Sequence, residues 1–313
     1  MKKIQGNFYK KSFISIDQLA IEDIFQIFSM ADFYKDGIEK GSVFSDLVGQ
    51  IMAALFYEPS SRTFGTFLSA MQKLGGGVIP IHGIKNSSVA KGETLEDTIR
   101  TFSCSSDLIV LRHFEKGASK KAEKIATVPV VNAGDGTGEH PTQALLDLYT
   151  IYKSLKRTDR LKIAFVGDLK YGRTVHSLFK ILSLFSGNEF FFLSPEELPM
   201  PKELLAKNGK PKTKSSYVRN LEEVITKIDV LYMTRIQKER MKPEIYEKIK
   251  NLFILNGKVA AKMKKEAIIL HPLPRVGEIA VEVDKNPRAL YLAKQMKNAL
   301  YVRMALLRLI LKK

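Results

Sequence analysis

QIMAALFYEPSSRTFGTFLSAMQKLGG, residues 50–76, sets two periodicities side by side. Residues 50–57, QIMAALFY, read as a buried strand, apolar without a break after Gln50, whereas TFGTFLSAMQKLGG spaces its apolar residues three and four apart until two glycines stop it. A buried strand feeding a helix is expected, with Ser60, Ser61, Arg62 and Thr63 at the junction. A helix start exposes unpaired N–H groups and partial positive charge, so three hydroxyls and a guanidinium there suit a helix cap or a cradle for an anion. Because Ser and Thr are common caps, this stretch alone leaves both readings open.

Outward from it the same unit recurs. GGVIPI (76–81), DLIVLRH (107–113) and VPVVNAG (128–134) are further strand candidates separated by helix-like stretches, and 16–37 has helical spacing that ends at Gly37. A long helix is expected over 140–157, HPTQALLDLYTIYKSLKR, after which strand candidates resume at 161–169, 188–195, 229–235 and 267–275. At 313 residues the chain has room for two domains. The rhythm predicts an α/β protein of two doubly wound parallel-sheet domains joined by long helices, with the C-terminal helix packing back on the first. The expected division is 1–146 with the helix 291–313, and 147–290.

Charge and composition narrow the function. Fifty Lys and Arg against 33 Asp and Glu give a net charge of +17, which suits nucleic acid, an acidic surface or small anionic substrates. The lysines are spread through helical stretches such as 243–267 and no zinc-finger or RNA-binding signature accompanies them, so a solvated basic surface is the simpler reading. The start, MKKIQGNFYKKSFISI, lacks a continuous apolar core of a signal peptide and no apolar run reaches membrane-spanning length. Together with the lone Cys104, this predicts a cytoplasmic protein without disulfides.

Four polar clusters follow strand candidates: SSRT, the Arg112–His113 pair, GDGTGEHPTQ (134–143) and HPLPR (271–275). A crevice rich in Arg, His and hydroxyls suits a phosphorylated or carboxylated substrate better than a metal. His82, His113, His140, His176 and His271 show no metal-ligand spacing, and GxSxG, GxGxxG and the Walker A sequence are missing; neither metal nor cofactor is expected.

FYEPSSRT, LRH, GDGTGEHPTQALLDL, VGDLKYGRTVHSL, MTRIQKER and HPLPRVGEIA, in this order and spacing, resemble the catalytic chains of the aspartate carbamoyltransferase family across nearly the whole chain. The resemblance implies transfer of a carbamoyl group from carbamoyl phosphate to L-aspartate, an early step of pyrimidine synthesis. It assigns carbamoyl phosphate to Ser60, Ser61, Arg62, Thr63, Ser87, Lys91, Arg112, His140, Gln143, Pro272 and Leu273. L-Aspartate falls to Lys91, Arg173, Arg235, Gln237, Leu273 and Pro274, and the catalytic group comprises Arg62, Thr63, Lys91, Arg112 and His140. By the same resemblance Ser87 and Lys91 serve a neighbouring subunit's site, which requires at least a dimer; the resemblance implies a homotrimer, and zinc-containing regulatory chains in a dodecamer are a further assembly it allows.

Departures from the family pattern are confined. Ser61 keeps a hydroxyl where Thr or Gly is usual, Ala90 replaces a lysine of some relatives, and Ile245 stands where a loop-holding glutamate is found, with Glu244 one residue earlier. Glu58 and Arg240 remain as candidates for bridging the domains. Two competing readings predict different chemistry. Ornithine carbamoyltransferase shares the phosphate-binding half but has HCLP where this chain has HPLP, and a nucleic-acid-binding protein would show steeply salt-sensitive affinity.

Overall fold

The computed structural model describes residues 4–83, 88–208 and 214–313 and divides the chain into two compact units, residues 1–146 with 297–313 and residues 147–296. The first unit contains α1 (Ile21–Glu39), β1 (Ile51–Phe56), α2 (Ser61–Lys73), β2 (Gly77–His82), α3 (Leu95–Ser103), β3 (Leu108–His113), α4 (Ala118–Ile125) and β4 (Val130–Asp135). α5 (Pro141–Leu155) then carries the chain into the second unit.

The first sheet is parallel in the order β2-β1-β3-β4. β3 and β4 are buried along their whole length, as parallel strands covered on both faces must be, and this explains the apolar runs LIVL and VV with which they begin. β2 is half exposed and tolerates Pro80, whose missing N–H is harmless on an edge strand. Phe56 pairs with Arg112 in register, so the ends of β1 and β3 lie flush at one edge.

The second unit contains β5 (Lys162–Val166), α6 (Arg173–Leu182), β6 (Glu189–Leu193), α7 (Lys202–Asn208), β7 (Lys214–Tyr217), β8 (Val230–Met233), α8 (Pro243–Ile249), α9 (Gly257–Ala261) and β9 (Ile268–Leu270). Its sheet is also parallel, in the order β7-β6-β5-β8-β9. One face of β5, β6, β8 and β9 buries Ala164, Val166, Leu193, Leu231, Met233 and Ile269 in a common apolar cluster.

The last helix, α10 (Lys294–Leu311), returns the chain to the first unit. There the Arg303 guanidinium lies 4.8 Å from the Phe67 ring centre, Arg308 Nε donates to Asp46 at 3.1 Å, and Ile310 O accepts from Lys10 N at 2.9 Å.

Three details differ from the sequence reading. The stretch 16–37 is broken: a 3₁₀ turn at Ile16–Gln18 is capped by Ser15, and α1 begins afresh at Ile21. α1 also runs past Gly37 to Glu39, because this glycine makes room for the Phe44 ring, which a Cβ there would meet at 2.4 Å. The second division falls at 296/297 instead of 290/291, since Tyr291 and Gln295 are hydrogen-bonded to Asp284 and Asp147 of the second unit.

Candidate active site

The hydroxyl-rich junction of the first unit is the start of α2. Ser60 occupies the N-cap position with extended backbone, yet its side chain makes no capping hydrogen bond. Capping is therefore not the work of its hydroxyl, and the first-turn N–H groups with their partial positive charge adjoin Ser61 and Arg62, both exposed. Partial desolvation lowers the pKa of Arg62, which remains a cation. Phe64 pins this turn to the sheet, its ring 5.1 Å from Phe56 and 4.7 Å from His82.

Thr63 is buried and its Oγ1 lies 3.5 Å from Nε2 of His140. His140 heads α5: its carbonyl accepts from Gln143 N at 3.0 Å and Ala144 N at 3.1 Å, and Gln143 follows one turn later, also buried. The preceding glycine-rich loop is held by Asp135, which accepts from Glu139 N and Gly117 N, each at 2.8 Å, and from Asn132 Nδ2 at 3.2 Å. Gly136 has φ of +51° and a Cβ there would meet Phe114 O at 2.5 Å, so the close turn requires glycine.

Arg112 ends its strand nearly buried, donating to Ala133 O at 3.2 Å and to Glu58 Oε1 at 2.9 Å. A desolvated guanidinium needs such partners, and they fix its plane at the sheet edge. His113 beside it is buried and stacked on Phe114, and burial pushes its pKa below the usual imidazole value. Its Nδ1 accepts from Glu115 N at 3.0 Å, so it belongs to the scaffold. Lys91 closes an exposed 3₁₀ turn, Ser88–Lys91. The expected ligand Ser87 lies outside the described residues.

In the second unit the corresponding edge carries Arg173 as the first residue of α6. Arg235 follows β8 and offers both terminal nitrogens to Glu239: Nη1 donates to Oε2 at 2.9 Å and Nη2 to Oε1. These bonds hold Arg235 above and Glu239 below their ordinary pKa values. Gln237 Nε2 donates to Asp168 Oδ2 at 3.0 Å, while its Oε1 accepts from Arg240 Nε at 3.0 Å. Burial raises the pKa of Asp168, against the Tyr171 N–H and the Gln237 amide that lower it. A small pocket adjoins Arg235, lined among others by Gly167, Thr234, Tyr246, Lys250 and Glu278.

Pro272, Leu273 and Pro274 follow β9 on a turn built around His271. His271 Nδ1 accepts from Leu273 N at 2.7 Å, which makes Nε2–H the donor to Glu278 Oε1, also at 2.7 Å; Glu278 Oε2 accepts from Val276 N at 3.0 Å. Burial opposes a charge on Glu278, but the His271 bond, the attraction of that ring and the backbone N–H groups of Glu278 and Val276 together outweigh it, leaving the carboxyl below its ordinary pKa.

Within the first unit the structure thus brings together the α2 start, Arg112, His140 and Gln143; within the second it places Arg173, Arg235, Gln237 and Pro272–Pro274 at ends of the same sheet. Asp168 and Glu239 were missed by sequence reasoning, although a carboxylate directly after a strand end, as in VGDL, was a usable signal. Glu58 and Arg240, candidates for bridging, bond to Arg112 and Gln237 inside their own units.

Comparison with known proteins identifies the family of both units. The family model described as aspartate/ornithine carbamoyltransferase, carbamoyl-P binding domain, matches residues 11–153, and the Asp/Orn binding domain of the same family matches 159–310. The chain is 50% identical over 283 residues to aspartate carbamoyltransferase 3, chloroplastic, of Pisum sativum, covering 88% of this chain and 71% of that protein. It is 48% identical over 303 residues to the aspartate carbamoyltransferase catalytic subunit of Methanocaldococcus jannaschii, covering 95% and 97%. The crystal structure of aspartate transcarbamoylase from Trypanosoma cruzi, in complex with carbamoyl aspartate and phosphate, superposes with a TM-score of 0.92 at 40% identity, covering 98% of each chain.

Proposed function

The chain belongs to the aspartate/ornithine carbamoyltransferase family, and we infer from its site that it is an aspartate carbamoyltransferase. It transfers the carbamoyl group of carbamoyl phosphate to the amine of L-aspartate, giving N-carbamoyl-L-aspartate and phosphate for pyrimidine synthesis. The observation that carries the choice of acceptor is the Arg235 fork closed on the Glu239 carboxylate. The fork already holds one carboxylate, and the side-chain carboxylate of aspartate can take the place of Glu239 on it, which the ammonium of ornithine cannot.

In this reading the phosphate rests on Ser60, Ser61, Arg62 and Thr63 at the α2 start, with Ser87 and Lys91 added from a neighbouring subunit. Thr63, Arg112 and His140 donate to the carbonyl oxygen, where negative charge grows as the amine attacks the carbon and the bond to phosphate breaks. Gln143 and the carbonyls of Pro272 and Leu273 hold the carbamoyl amide, while Leu273 and Pro274 accept from the attacking amine. Lys91, Arg173, Arg235 and Gln237 bind the two aspartate carboxylates. Rigid prolines and the His271-centred turn support the use of carbonyls as fixed acceptors.

N-Phosphonacetyl-L-aspartate joins a phosphonate to an aspartyl group and tests both halves at once. It is expected to raise the midpoint of thermal unfolding strongly in the native chain and much less in Arg62→Ala or Arg235→Ala. Equal protection of all three would refute the assignment.

The assembly proposed with this function is a homotrimer with shared sites, on which zinc-containing regulatory chains could dock, and its place is the cytoplasm, where the single exposed thiol of Cys104 stays reduced. Mixing inactive Lys91→Ala and Arg62→Ala chains should restore part of the activity in hybrid trimers. No recovery after demonstrated mixing would remove the shared site.

A further inference from the structure

Asp147 is a fully buried carboxylate on α5. Its Oδ2 accepts from the Tyr232 hydroxyl at 2.8 Å and its Oδ1 from Gln295 Nε2 at 2.6 Å. The chain extends at both ends: Tyr232 accepts from the Thr174 side chain, and Gln295 Oε1 accepts from His271 N at 3.2 Å. Tyr232, Gln295 and His271 are fully buried too. Every donor therefore points towards Asp147, from Thr174 through Tyr232 on one arm and from His271 through Gln295 on the other. Such a run polarises each bond in the same sense, and removing one member leaves a desolvated partner unmet.

Well-packed apolar residues often stabilise a core as well as a buried ionic network does, so stability alone is a weak reason to keep this one. The ends of the chain suggest another. Thr174 directly follows Arg173, Tyr232 stands three residues before Arg235, and His271 directly precedes Pro272. One buried carboxylate thus ties together the origins of the three segments that carry the acceptor-binding groups.

We propose that Asp147, Tyr232, Gln295 and Thr174 are positioning residues, a hydrogen-bonded hub that sets Arg173, Arg235 and the Pro272–Pro274 carbonyls in register for the amino-acid acceptor. The proposal rests on the reading of those segments as the L-aspartate site. In this role the hub residues act through the groups they hold.

The test is steady-state kinetics on the full-length enzyme. Tyr232→Phe removes one oxygen without changing the ring, and Thr174→Val removes the hydroxyl of its donor. Each is expected to raise KM for L-aspartate about tenfold, the effect of one lost net hydrogen bond, with KM for carbamoyl phosphate changed by no more than about twofold. Thr174→Ser, which keeps the hydroxyl, should restore the native value. Lower thermal midpoints with both KM values unchanged would make the hub purely structural and overturn the proposal, as would equal increases in both. A native chain that carbamoylates no aspartate would instead refute the functional reading, and the hub's role with it.

Discussion

Thr63 Oγ1 and His140 Nε2 stand 3.5 Å apart, facing each other from the first turn of α2 and the head of α5. At that distance the hydrogen bond is at the limit of its length, and an oxygen lying beside the pair can come within hydrogen-bond reach of both groups. A carbonyl oxygen gaining charge is the atom this geometry suits. His140→Ala should lower kcat by about two to three orders of magnitude, with a smaller effect on KM for carbamoyl phosphate. A raised KM with kcat intact would assign His140 to ground-state binding instead.

Arg62 and Arg235 belong to different units and should separate kinetically. Arg235→Ala is expected to raise KM for L-aspartate by about a hundredfold or more, as loss of a charge-assisted fork implies, and to leave KM for carbamoyl phosphate near the native value. Arg62→Ala should weaken carbamoyl phosphate first. The assignment fails if both substrates suffer equally in both variants.

Gly167 links β5 to Asp168 with φ of +117°, and a Cβ there would meet Thr234 O at 2.1 Å. Gly167→Ala should therefore cost about 2 kcal/mol or more of stability. Because Thr234 immediately precedes Arg235, its use of aspartate should deteriorate as well. Calorimetry and aspartate kinetics on the same preparation check both, and an unaltered unfolding midpoint would contradict the steric account.

Burial keeps the His113 pKa below 6.5, Glu115 and Asp135 opposing that shift and Lys121 adding to it. Between the lowered value and 6.5 the unfolded chain binds more protons than the folded one, so stability rises with pH in that window and is lost as pH falls through it. His113→Asn can accept the Glu115 N–H but does not titrate. Its unfolding midpoint should change less steeply just below pH 6.5 than that of the native chain, and identical slopes would rule the ring out as a source of acid sensitivity.

The strands that carry the site were readable because parallel strands buried on both faces become continuous apolar runs, as in β1, β3 and β5. β7, Lys214–Tyr217, escaped for the opposite reason: it is an exposed edge strand of sequence KSSY with no apolar signal. The resemblance to the family's motifs singled out Arg62, His140 and Arg235, but it could not show that Gln237 meets Asp168 or that Arg235 is closed on Glu239, since those pairings depend on how loops fold onto strand ends. The same holds for Asp147, which reads in HPTQALLDL as one polar residue on an apolar helix and acquires meaning only from Tyr232 and Gln295.

The most direct measurement is carbamoyl transfer from carbamoyl phosphate by the purified chain, with L-aspartate and L-ornithine supplied separately and the products identified. N-Carbamoyl-L-aspartate and phosphate in equal amounts, with no citrulline from ornithine, is the expected result. Citrulline formation, or no product with aspartate under conditions where the chain is folded, would contradict the reading of Arg235 and its neighbours as a carboxylate-binding acceptor site.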